Sequence, residues 1–324
     1  MLRGLLIAQK SRIVLSVYGC LLAILFGCST KTIIENKCGA AIPQPAQSLN
    51  VDGVSVNFQA SLKSNQSRTI VLIHGFGGSL ETWHDIYPGL SAEFSIVRLD
   101  LRGSGFTSKP EDRKYSPGDQ AEFLTHFLER LGLRHVVLVG HSLGGEIALV
   151  TYLKLKDHPQ TLTIDGLALL DSAGYVQKQP AFVTATKNPI SHFFMSYSIP
   201  PPLRAKLMLE ALFAVDERVT PDRICRYAYF MDMRDTRHPM EQTAKLIEPP
   251  DAKSNELRFK DIDVPTLIIW GGNDPGLPVE NAHRFHSDIQ RSKLVILEKT
   301  GHVPQEERPQ EVLQQLKTFM SELR

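Results

Sequence analysis

The pentapeptide Gly140-His141-Ser142-Leu143-Gly144 directly follows the apolar run His135-Val136-Val137-Leu138-Val139. A short β-branched run without internal charge reads as a buried parallel strand. A serine on a sharp turn just past such a strand projects its hydroxyl above the sheet edge, the arrangement of a nucleophile elbow. The glycines suit a strained turn with little room beside it and a helix packed close to the strand. Ser142 is then placed to attack a carbonyl carbon. A serine hydroxyl is a weak nucleophile at neutral pH. It needs a general base within hydrogen-bond reach, and that base needs an orienting acid.

Histidine titrates near neutrality and suits the base. Of 11 histidines, His302 alone sits in a short loop, Gly301-His302, just past an apolar run at 293–297. The acid belongs at the end of another strand. Asp274 follows Ile268-Ile269-Trp270-Gly271-Gly272-Asn273, and we take it as the acid; Asp171, just past the run 167–170, is the competitor. The order Ser142, Asp274, His302 is nucleophile, acid, base. A tetrahedral intermediate also needs two preorganised N–H donors. Leu143, the residue after the nucleophile, supplies one. The loop His74-Gly75-Phe76-Gly77-Gly78, after the run 69–73, supplies the other through the Phe76 N–H. His74 is read as a structural residue of that loop.

These residues need a sheet to hold them. Buried-type strands are expected at 69–73, 94–99, 135–139, 167–170, 264–270 and 293–297, with helices at 117–131 and 146–154 between them. Strands alternating with helices predict an α/β fold with a mostly parallel, doubly wound sheet. The segment 51–58 alternates and carries Asp52-Gly53 near its start, which suggests an antiparallel strand or hairpin. Between 176 and 258 no buried strand appears. Helices are expected near 203–215 and 221–231, so this segment reads as a helical cap inserted into a core of 50–175 and 259–324. Its aromatics (Phe182, Phe193, Phe194, Tyr197, Phe213, Tyr227, Tyr229, Phe230) are expected mostly in the core, with two or three lining the site.

Composition narrows the function. The chain has 324 residues, 42% of them hydrophobic, and a formal charge of +1. That is a globular composition without an electrostatic case for nucleic acid. There is no dinucleotide fingerprint or P-loop and no Cys/His spacing of a metal site, so neither cofactor nor metal is expected. Arg3, Lys10 and Arg12 precede an almost uncharged apolar stretch, 13–26. It is shorter than the roughly 20 residues of a spanning helix, and this layout is that of an export signal. The stretch ends in Leu25-Phe26-Gly27-Cys28, which resembles the lipobox of bacterial lipoproteins, with Phe26 larger than the pattern favours. We therefore expect a signal peptide over 1–27, a lipidated Cys28, a polar tether over 28–49 and a location in the cell envelope, outside the cytoplasm. Cys20 lies inside the apolar stretch and is the poorer lipidation candidate. Cys38 and Cys225 remain. They could tie the tether to the body in an oxidising compartment, but the reading adopted is two unpaired thiols.

Five ordered segments carry a family resemblance: His74 to Gly78, Asp100 to Thr107, Gly140 to Gly145, Gly271 to Asp274 with Pro278, and Gly301-His302 with Glu307 and Pro309. Over about 50–175 and 260–324 the chain resembles the α/β-hydrolase superfamily, in its group of lipases, esterases and C–C bond hydrolases. The resemblance implies the triad Ser142, Asp274 and His302 and the oxyanion donors Phe76 and Leu143. It implies a structural role for the Asp100–Gly105 turn. Family members that carry aspartate at the elbow, the dehalogenases and epoxide hydrolases, are excluded by Ser142. The expected activity is hydrolysis of a small-molecule or lipid carboxylic ester. Cleavage of a C–C bond in a diketone by the same triad, and a non-catalytic binding module, are the alternatives. No oligomeric state follows from the sequence.

Overall fold

The computed structural model describes residues 38–158, 161–248 and 252–323. The expected signal segment, Cys20, the lipidation candidate Cys28 and the tether up to residue 37 lie outside the described residues.

Eight strands form one sheet in the order β1-β2-β4-β3-β5-β6-β7-β8. They are β1 Gln47–Val51, β2 Val54–Ser61, β3 Arg68–Ile73, β4 Ser95–Leu99, β5 His135–His141, β6 Thr163–Leu170, β7 Thr266–Gly271 and β8 Ser292–Leu297. β1 pairs antiparallel with β2, and β2 with β4; all other pairings are parallel. The sheet is therefore mostly parallel, as expected. The central strands are buried on both faces, which is why they read as uninterrupted apolar runs. The hairpin of β1 and β2 turns on Asp52 (φ 52°) and Gly53 (φ 82°), the left-handed pair that matches strand twist. One expectation is corrected here. Gln47, Ser48 and Leu49 belong to β1 rather than to a tether, because they pair with Phe58, Asn57 and Val56.

Helices cover both faces: α1 Tyr87–Ser91, α2 Pro117–Arg130 and α3 Leu143–Asp157, then, after the cap, α10 Glu280–Asp288, α11 Pro304–Glu307 and α12 Pro309–Glu322. Among the described residues, six further helices lie in sequence between β6 and β7: α4 Ala181–Lys187, α5 Pro189–Ser198, α6 Pro201–Leu212, α7 Pro221–Met231, α8 Arg237–Leu246 and α9 Ala252–Leu257. Among the described residues, no helix is long and apolar enough to cross a membrane.

Cys38 and Cys225 form a disulfide, which corrects the reading of two unpaired thiols. They lie 187 residues apart, so only the folded chain brings them together. The bridge joins the first described residue to α7. Removing it with Cys225→Ser is expected to destabilise the protein by up to about 5 kcal/mol, because so long a closed loop restricts the unfolded chain strongly. Urea unfolding of wild type and variant, with and without reductant, measures this. Triad activity at 25 °C is expected to persist.

Candidate active site

Ser142 stands between β5 and α3 with φ 53° and ψ −122°, a conformation that L-residues rarely adopt. Its neighbours hold it there. The Ser142 N–H donates to the Leu170 carbonyl at 2.9 Å, and the Ser142 carbonyl accepts from Ala173 N–H and Gly145 N–H, both at 2.9 Å. The flanking glycines are a matter of space. A Cβ on Gly140 would lie 2.3 Å from the Gly144 carbonyl oxygen, and one on Gly144 would lie 2.2 Å from that of Ile73.

The Ser142 hydroxyl donates to His302 Nε2 at 3.0 Å, and His302 Nδ1–H donates to Asp274 Oδ2 at 2.8 Å. The three predicted side chains therefore meet. The other Asp274 oxygen accepts from Gly276 N–H at 2.6 Å and Leu277 N–H at 3.0 Å. Burial opposes the Asp274 charge, yet the His302 ring, a hydrogen bond from Asp171 and the Leu277 N–H outweigh it and hold its carboxyl below the ordinary range.

Asp171 lies beside this pair. One oxygen each of Asp171 and Asp274 and one His302 ring nitrogen all fall within 4.8 Å of one another. Asp171 is fully buried at a positive φ of 41°. Its Oδ1 accepts from Gly271 N–H at 2.9 Å, while no donor reaches its Oδ2. Burial, then the Asp274 charge, raise its carboxyl well above the ordinary range. Two carboxyl groups this close in a dry interior share one proton. We assign it to Asp171, which then donates to Asp274. Three donor groups so close also invite a metal reading, but both ring nitrogens of His302 are already engaged by Ser142 and Asp274.

The loop from His74 to Gly78 abuts Ser142: a Cβ on Gly75 would sit 2.9 Å from Ser142 Cβ. Leu143 opens α3, where a backbone N–H has no intrahelical acceptor. Among the described loops and turns the Phe76 N–H makes no backbone bond, and both residues line the cleft with Ser142. His74 fixes the loop: its Nδ1–H donates to the Gly75 carbonyl at 2.8 Å and its Nε2 accepts from Leu101 N–H at 3.0 Å. In the neighbouring turn Asp100 accepts from Leu80 N–H, Asn57 Nδ2 and Phe106 N–H, a structural role.

His141 donates from Nε2 to the His302 carbonyl at 2.7 Å. Burial pushes His74 down to about 4. It pushes His141, with added repulsion from His302, down to about 3. Both rings are neutral in the fold. Unfolded, each titrates near 6.5, so below that pH the unfolded chain binds the extra proton. Their stabilisation is complete above pH 6.5 and is lost as pH falls toward 4 and 3. His74→Gln is expected to reduce the acid-side slope of stability against pH by about 1.4 kcal/mol per unit between pH 6.5 and 4. Urea midpoints across that range test it; parallel slopes would mean a ring already charged in the fold.

Residue roles that sequence reasoning missed join the base to the cap. His302 N–H donates to the Leu212 carbonyl at the end of α6, at 2.8 Å. Glu307 accepts from Gly301 N–H with one oxygen, and from Ala214 N–H and Val215 N–H with the other. Arg223 and Tyr227 of α7 bind Glu306 of α11. The spacing from Gly301-His302 to Glu307 marked this segment without revealing what Glu307 holds.

The cleft beside Ser142 opens to solvent. Apolar Leu143, Phe182, Val183, Ile247, Ala252 and Leu277 line it, with Glu146, Glu248 and two glutamines. Among the described cap aromatics, Phe182 alone lines it, 6.1 Å from the Phe76 ring between centroids. Phe193 and Phe194, expected in the core, are exposed.

A mostly parallel α/β sheet with a strained serine elbow and a Ser–His–Asp relay defines a class, and residues 68–309 match it: the chain belongs to the alpha/beta hydrolase fold family, Abhydrolase_1. Among particular relatives, it is 28% identical to lipase 1 of Psychrobacter immobilis over 265 residues, 78% of this chain and 76% of that one. It is 26% identical to 2-hydroxy-6-oxo-6-(2'-aminophenyl)hexa-2,4-dienoic acid hydrolase of Metapseudomonas resinovorans over 278 residues, 84% and 90% of the two chains. The crystal structure of a membrane phospholipase A superposes with a TM-score of 0.70 at 26% identity, covering 100% of this chain and 99% of that one.

Proposed function

We propose that this protein hydrolyses carboxylic esters through an acyl-enzyme on Ser142, outside the cytoplasm, held at a membrane through a lipidated Cys28. The relay from Ser142 through His302 to Asp274, at 3.0 and 2.8 Å, carries the reading. As Ser142 Oγ bonds to the ester carbonyl carbon, its proton passes to His302 Nε2, and Asp274 stabilises the imidazolium. The Phe76 and Leu143 N–H groups receive the developing oxyanion. His302 then gives its proton to the alcohol oxygen as the C–O bond breaks. Water, deprotonated by His302, releases the acid and restores Ser142. The disulfide fits an oxidising compartment.

Ester cleavage is favoured over C–C cleavage of an acidic diketone. Among the described residues lining the cleft there is no Lys or Arg to meet a substrate carboxylate, and Glu248 opposes one. The apolar lining suits an acyl chain. A series of p-nitrophenyl esters of increasing chain length, run beside a 2-hydroxy-6-oxo-dienoate, tests this. Turnover of esters with none of the dienoate is expected; the reverse would overturn the ester reading in favour of C–C hydrolysis, and loss of both would favour the binding module.

A further inference from the structure

Helix α5 carries no Asp, Glu, Lys or Arg. It turns His192 inward, onto Glu241, and exposes Ile190 (68%), Phe193 and Phe194 (60%) at i, i+3 and i+4, which is one helix face. Two residues separate α5 from α6. Along α6, Ala205 and Leu209 are buried while Leu203 and Leu207 are exposed. Two residues apart is about 200° around a helix, so these leucines occupy the outer side. Five large apolar side chains on two consecutive cap helices are thus left facing outward.

The chain N-terminal to Cys38 points to what meets them. Cys38 is bonded to Cys225 of α7 and packs with Ala205 of α6. The proposed lipidation site, Cys28, lies 10 residues before Cys38. Ten fully extended residues reach at most about 36 Å. The disulfide therefore keeps α6 and α7 within that distance of the membrane that holds the lipidated Cys28. We propose that the outer face of α5 and α6 lies on a lipid bilayer, the one that holds the N-terminal segment, and so brings the cleft mouth to membrane-borne esters. This rests on the anchored, ester-hydrolysing reading above. Its test does not require activity.

Trp83 and Trp270 are fully buried, so a new exposed tryptophan reports its own surroundings. The full chain carrying Phe194→Trp, bound to vesicles of brominated phosphatidylcholine, is compared with Leu62→Trp. Leu62 is 52% exposed beside the start of β4, at the sheet end opposite Ser142. With the ring about 5–10 Å into the headgroup boundary, bromine is expected to quench the introduced emission by about half or more, and that of Leu62→Trp hardly at all. Equal quenching of the two variants in chains that float with vesicles would overturn the docking and leave the anchor standing. An unquenched but blue-shifted emission would assign the face to a second copy of the chain. Chains that do not float would overturn both. Phe193→Ser combined with Phe194→Ser is expected to slow hydrolysis of vesicle-borne esters about tenfold or more while leaving soluble p-nitrophenyl butyrate turnover unchanged. Equal losses on both substrates would overturn the proposal.

Discussion

Ser142→Ala is expected to lower kcat by on the order of 10⁵–10⁶, with KM little changed. In the proposed acyl-enzyme mechanism the variant loses the atom that bonds to the substrate carbonyl, while the proposed oxyanion donors and the cleft remain. Residual catalysis of about 10³–10⁴ over water is then the contribution of positioning and those donors. The backbone strain is no confounder. Alanine keeps the Cβ that Ser142 already accommodates at φ 53°, and the Leu170, Ala173 and Gly145 bonds to residue 142 use main-chain atoms only. Thermal unfolding should therefore match wild type closely. A fluorophosphonate probe should label wild type and spare the variant; equal labelling would remove Ser142 from the role of nucleophile.

The second large effect separates two buried carboxyl groups that sit side by side. Asp274→Asn is expected to cost about 10⁴ in kcat. An amide cannot stabilise the His302 imidazolium, and it no longer selects the tautomer with Nδ1–H facing it. Asp171→Asn is expected to cost less than about tenfold, because a neutral amide does what the protonated carboxyl does. Its oxygen accepts from Gly271 N–H and its NH₂ donates to Asp274. Rates of the two variants across pH 6–9 decide the matter, and the opposite ranking would make Asp171 the acid.

Much of this was legible in the chain. The parallel strands announce themselves because both faces are covered, leaving runs such as 135–139 and 266–270 without polar interruption. The triad follows because its members sit within a few residues of strand ends, and a parallel sheet gathers those ends at one edge. Reading the apolar surface of the cap was harder. Helical periodicity identifies an apolar side but not its partner, so Phe182 in the cleft and Phe194 on the outer face of the cap looked alike.

The sequence by itself determined the class of fold and pointed to Ser142, Asp274 and His302 in that order, since each lies local to one strand and its following turn. Tertiary structure alone decided what depends on distance between remote segments. Cys38 meets Cys225 only once α7 is packed. The Asp171 carboxyl is raised first by its burial and then by the charge of Asp274, 103 positions later in the chain, one of whose oxygens lies within 4.8 Å. Glu307 ties the His302 loop to the cap only because Ala214 and Val215 present their N–H groups to it. Charge state and bracing are properties of spatial neighbours, and neighbours across the fold leave no periodic trace in the chain.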